Sequence, residues 1–179
     1  MFYLFLADGF EETEALAPLD MMRRAKIEVK TVGVTGEFVT GSHGVTVKAD
    51  LKPEEISFNK IDGVVLPGGM PGTINLGKSE TVTKAAVYCA ENGKITAAIC
   101  AAPSVLGNLG ILKGKKATCF PGFEKELEGA TYTAAPVEID GNVITGKGAG
   151  CAILFGKAIV EKAVSAEAAN KVCGDMQCP

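Results

Sequence analysis

The sequence predicts an α/β fold, an open and mostly parallel sheet with helices on both faces, and three observations predict it. Apolar runs of strand length alternate with helical stretches along the whole chain. The runs at 2–7 and 62–67 are apolar without alternation, as in strands covered on both faces. The run from Lys94 to Ile99 ends on Cys100 and turns, with Pro103 near the start of the next segment, into a helix pattern.

In order, residues 2–7 form the first buried strand. Glu11–Ala25 follows as a helix, with acidic residues in its first turn and Arg23 and Arg24 in its last, both favourable to the helix dipole. Ile27–Val34 is the next strand. Phe38–Val47 alternates around Gly41-Ser42-His43-Gly44 and reads as a hairpin on the sheet margin. Asp62–Pro67 is a buried strand that opens into the loop Gly68–Gly72, and Ser79 begins a helix that stops at Asn92-Gly93. After the central strand come a short strand near Ala117–Cys119 and a brief helix at Glu124–Leu127. Val137–Thr145 is a hairpin, because Asp140-Gly141 supplies the positive φ angles of its turn. Ala149–Val164 is a long apolar helix, which Ala166–Val172 extends or follows. With 179 residues and 47% hydrophobic content, the chain suits one domain spanning 1–179.

Ligands of such folds sit at the carboxyl ends of the strands, which directs attention to Asp8–Glu14, Pro67–Gly72 and Cys100–Pro103. The last has the layout of a nucleophile elbow, a side chain at a sharp strand-to-helix turn with backbone N–H groups beside it. Those groups favour thiolate over thiol, so Cys100 is expected to be more acidic than an ordinary cysteine. The competing role is a buried structural cysteine closing a core strand; the turn chemistry favours the functional one. Glu11, Glu12 and Glu14 occupy the first loop, and a carboxyl beside a thiolate would be driven toward its protonated form and could shuttle a proton. Helical period alone does not choose between Glu11 and Glu14, and on the residues alone the favoured reading is that these glutamates merely decorate a helix start.

Other classes are disfavoured. Gly72–Ser79 matches the phosphate-loop pattern G-x-x-x-x-G-K-S, but five residues separate its first glycine from the strand end and Ile74 and Leu76 look like packing residues. No nucleotide or other cofactor is therefore expected. A net charge of −3 with scattered basic residues gives no case for nucleic acid. His43 is the sole histidine and no Cys/His cluster has ligand spacing, so no metal is expected. Six cysteines without C-x-x-C in a core-rich chain point to a reduced, cytoplasmic setting. The opening apolar run is too short for a signal core or a membrane span.

Asp8-Gly9-Phe10-Glu11-Glu12-Thr13-Glu14, Leu66–Gly72, Ala97–Pro103 and Thr145-Gly146-Lys147-Gly148 together resemble the ThiJ/PfpI superfamily, in the branch of the Parkinson-disease protein DJ-one and its bacterial relatives. The resemblance spans essentially the whole chain. It implies a flavodoxin-like three-layer sandwich, a homodimer, and a small carbonyl compound as substrate. It makes Cys100 the reactive, easily oxidised cysteine and Glu14 the protonated carboxyl that hydrogen-bonds it. Gly69 and Ala101 become backbone donors of an oxyanion pocket, with Gly68, Ala102 and Phe120 shaping the site. His43 and Arg24 become residues that could reach it across the dimer, although a solvated turn is the simpler place for His43. Two departures stand out. Phe120 occupies a position where many members carry histidine, and Ala101 replaces the histidine that follows the cysteine in the protease-like branch, which argues against a peptidase. The leading expectation is a glyoxalase-like or deglycase-like enzyme working through a hemithioacetal at Cys100. The alternative is a redox-sensing or chaperone-like stress protein whose Cys100 is oxidised to sulfinate.

Overall fold

The computed structural model describes residues 1–178. Strands β1 (Phe2–Leu6), β2 (Val29–Gly33), β5 (Gly63–Leu66), β6 (Ile95–Ile99) and β10 (Val143–Gly146) are parallel, and β9 (Val137–Asp140) closes one edge antiparallel to β10. The order β2-β1-β5-β6-β10-β9 is the flavodoxin-like winding, which switches direction beside β1. Side chains alternate across each strand and so feed two cores. Phe2, Leu4, Leu6, Val65, Ile95, Ala97 and Ile99 point to the face covered by α1 (Glu12–Arg24), α5 (Ala152–Ala163) and α6 (Ala166–Asp175). Tyr3, Phe5, Val64, Leu66 and Ala98 point to the face covered by α2 (Gly72–Lys78), α3 (Glu80–Glu91) and α4 (Pro103–Asn108). This double coverage explains why the strand sequences are apolar throughout rather than alternating.

The local signals hold where they are local. Ser79 caps α3 by accepting from the Val82 N–H, and Ser165 caps α6 by accepting from the Ala168 N–H at 3.1 Å. The phosphate-loop reading, already disfavoured, stays set aside, and two expectations need correction. The phosphate-loop look-alike is helix α2, with Thr73 and Leu76 buried, so its backbone N–H groups are consumed by helical bonds instead of facing an anion. The hairpin of β3 (Phe38–Thr40) and β4 (Thr46–Lys48) forms a separate two-stranded sheet, not a margin of the main one. The strand near 117 is β7 (Lys116–Ala117), paired with β8 (Thr131–Tyr132), which is too short to carry a hydrophobic period. Among the described residues no helix is long and apolar enough to cross a membrane.

Candidate active site

Cys100 directly follows β6 with φ +66°, a left-handed conformation that costs a non-glycine residue about 1–2 kcal/mol. Backbone bonds on both sides hold it there. Its N–H donates to the Gly146 carbonyl at 2.9 Å, and its carbonyl accepts from the Phe120 N–H at 2.8 Å. The turn is thus pinned by the end of β10 and by the segment after β7, and the thiol stands half-buried at the carboxyl edge of the sheet. The N–H groups of Ala101 and Gly69 donate toward its sulfur.

Glu14, one turn into α1, is fully buried beside that thiol. Its Oε2 accepts from the Gly68 N–H at 2.9 Å, whereas Oε1 is left without a well-directed partner although the Cys100 thiol lies within hydrogen-bonding contact of the carboxyl. Gly68 makes this approach possible: a Cβ there would stand 2.6 Å from both the Cys100 Cβ and the Glu14 Oε2. Burial pushes Glu14 up to about 7, against the opposing hydrogen bonds from Cys100 and Gly68. Burial, followed by the charge and hydrogen bond of Glu14, pushes the Cys100 thiol up to about 12, while the Ala101 and Gly69 N–H groups pull the other way. The expected acidification of Cys100 is therefore reversed. Helix and loop donors are present, but burial of the thiol, and after it the charge and hydrogen bond of Glu14, outweigh them. The two groups titrate as a pair in which a proton on either lowers the cost of charging the other.

The structure gives the glutamates of the first loop separate positions. Glu11 caps α1, its Oε2 accepting from the Glu14 N–H at 2.7 Å. Glu12 turns outward to the hairpin and accepts from the His43 N–H at 2.7 Å, with the His43 Nδ1 2.8 Å from its other oxygen. Burial opposes its ionisation, but the His43 ring and the N–H groups of His43 and Val45 hold it down at about 2. His43 is thus the hairpin's anchor to α1, and its ring is largely exposed. Arg24 lies at the far end of α1, paired with Asp20, and within one chain it is not brought to Cys100. Phe120 is half-exposed and contributes its backbone N–H to Cys100; Ala102 is buried on the α4 side of the elbow.

Two features were not singled out as parts of the site from the sequence. Gly146, the acceptor that orients Cys100, sits in the motif Thr145–Gly148, which is a usable signal. Glu11, Glu12 and His43 carry ligand atoms within 4.8 Å of one another, a juxtaposition invisible to spacing because two distant segments supply it. Those oxygens are already engaged by the helix cap and the hairpin N–H groups. A groove of about 360 Å³ between α2 and α4 is lined by Met70, Ile74, Ser104, Val105 and Phe123 and does not include the thiol.

Comparison with known proteins places this arrangement. A model described as the DJ-1/PfpI family matches residues 2–162. Protein DJ-1 homolog B of Arabidopsis thaliana is 35% identical over 96% of the chain, and a deglycase of Pyrococcus abyssi is 33% identical over 79% of the chain and 86% of its own length. The chain spans only 40% and 44% of the two Arabidopsis relatives it matches. The structure of oxidized Toxoplasma gondii DJ-1 superposes with a TM-score of 0.93 at 32% identity, covering 98% of this chain and 97% of that one.

Proposed function

The chain belongs to the DJ-1/PfpI family, and from that membership we propose that it is a cysteine-dependent enzyme acting on small reactive carbonyls, glyoxalase-like or deglycase-like. The observation that carries the reading is the buried Glu14 carboxyl beside the Cys100 thiol, with a titration near neutrality. The archaeal relatives named deglycases support the same chemistry. Transfer of the thiol proton to the Glu14 carboxylate produces a thiolate and a neutral acid in one step, without placing two negative charges in the site. The thiolate adds to an aldehyde carbon to give a hemithioacetal, and the Gly69 and Ala101 N–H groups hold the oxygen that gains charge. Glu14 then moves a proton between the adjacent carbon and oxygen. One carbon of a dicarbonyl is oxidised as its neighbour is reduced, which turns the hemithioacetal into a thioester without an external redox partner; water then adds to the thioester carbon, the C–S bond breaks, and the 2-hydroxy acid leaves as the Cys100 thiol takes back its proton. Gly68 keeps carboxyl and sulfur in reach, while Ala102 and Phe120 shape the approach. The homodimer implied by the resemblance remains part of the reading, with His43 and Arg24 as the residues a second copy could add.

The test is lactate formation from methylglyoxal. Cys100→Ser is expected to fall to background and Glu14→Gln to lose about 10²–10⁴-fold in kcat. A Cys100→Ser protein as active as wild type overturns the reading. A second reading, oxidation of Cys100 to sulfinate, is favoured by the partnerless Glu14 Oε1, which would donate to a sulfur-bound oxygen, and by phenylalanine at position 120. Mass spectrometry after mild peroxide separates the two: addition of two oxygens at Cys100 without carbonyl turnover selects the second.

A further inference from the structure

The last helix ends in a way that brings two thiols together. At the close of α6 the Cys178 N–H donates to the Cys173 carbonyl at 2.9 Å, and the Gln177 N–H donates to the Gly174 carbonyl at 3.1 Å. Gln177 itself is left-handed, at φ +55°. This nested pair of bonds around one left-handed residue is a Schellman stop, and it sets the side chain after the left-handed residue against the one that begins the last turn. That contact is ordinarily made by two apolar residues. Here the two positions are Cys178 and Cys173.

We propose that Cys173 and Cys178 form a second thiol redox site, independent of Cys100, which closes to an intramolecular disulfide under hydroperoxide. Both sulfurs are free and half-buried, so oxidant can reach them. Burial and the neighbouring Cys178 thiol raise the Cys173 thiol, and Lys157 of α5 pulls the other way. The backbone bond between the two residues holds them side by side, the proximity that disulfide closure needs. The chemistry balances with one hydroperoxide. A thiolate attacks the peroxide oxygen, the O–O bond breaks, and the product is a sulfenic acid plus hydroxide or alkoxide, which takes up the proton the thiol released. The second sulfur then attacks the sulfenic sulfur, the S–O bond breaks, and its proton leaves with that oxygen as water. The two sulfurs together lose the electron pair that the peroxide gains. Closure ties the segment after α6 to that helix, which packs on α5 and α1.

The experiment treats the full chain with hydrogen peroxide, alkylates remaining thiols with iodoacetamide, and digests with trypsin. Cleavage after Lys171 leaves both cysteines in one peptide starting at Val172. That peptide is expected unalkylated, lighter by two hydrogen atoms, and restored by reductant; Cys173→Ser and Cys178→Ser each abolish the shift. Closure is also expected to be several-fold slower in Gln177→Val, which resists the left-handed conformation, than in Gln177→Gly, which adopts it freely. Full alkylation of both cysteines at peroxide doses that oxidise Cys100, a disulfide joining two chains through either residue, or equal closure rates in the two Gln177 variants overturns the proposal.

Discussion

Cys100 and Glu14 are best understood as holders of one shared proton. Burial pushes both up: the thiol to about 12, where the charge and hydrogen bond of Glu14 add to burial, and the carboxyl to about 7, where the hydrogen bond from Cys100 pulls the other way. Alkylation of Cys100 followed against pH is therefore expected to rise in two steps in the wild type, the first as the pair loses its first proton near neutrality. Glu14→Gln removes the like charge. Its thiol is expected to titrate in a single step, below the upper step of the wild type, and peptide mass spectrometry separates Cys100 from the other cysteines. An unchanged profile in Glu14→Gln would show that the two groups are uncoupled. The cysteine itself was legible from its position at the end of an apolar run before a helix. Its proton affinity was not, because the carboxyl that controls it arrives from α1 and is desolvated only once β5 and its loop close over it.

At the scale of elements, α1 ties the site to the rest of the fold. Its first turn presents Glu11 to its own backbone, Glu12 to the β3–β4 hairpin and Glu14 to Cys100. Its opposite face meets α5 at Gly156, where a Cβ would stand 2.6 Å from the Met21 Sδ and 3.0 Å from the Pro18 Cα. The methionine can move, but the proline backbone cannot. Gly156→Ala is expected to push α5 off α1 and to cost about 1–3 kcal/mol, read as a lower urea midpoint at constant slope. The start of α3 was readable because Ser79 bonds to the N–H three residues on, whereas the sequence left open whether the stretch after Ser165 extends α5 or forms a second helix, which the Ser165 cap decides. Helix α2 was obscured by a motif that two unrelated structures can satisfy, and β8 by its brevity.

For the whole molecule, pH sets opposing trends. Glu14 is raised from 4.5 to about 7 on folding. Folded chains keep that proton while unfolded ones release it, so stability is intact below 4.5 and declines as pH rises toward 7. The difference corresponds to roughly 3 kcal/mol. Glu12 acts in the other direction: held down at about 2, its contribution is present above 4.5 and is lost as pH falls through 2. The His43 ring, raised by its hydrogen bond to Glu12, contributes below its ordinary value of 6.5 and less as pH rises through its elevated one. Glu14→Gln is thus expected to be more stable than wild type at about pH 8, with the gap closing by about pH 4. Denaturant unfolding of both proteins across that range measures it, and a constant gap would refute the assignment of the raised carboxyl to Glu14.

The sequence by itself determined the layered α/β architecture, the three loops at the carboxyl edge and the elbow cysteine. Each of these rests on near-neighbour chemistry: apolar period, turn residues and helix caps. The resemblance already pointed to Glu14 as the thiol's partner; only the tertiary structure decided that His43 serves Glu12 from its hairpin and that burial, with Glu14 beside it, raises the Cys100 thiol. It also decided that Cys173 meets Cys178 across a helix stop. Charge and proton affinity depend on desolvation and on partners far away in the chain, and those exist only after the sheet has brought its strand ends together.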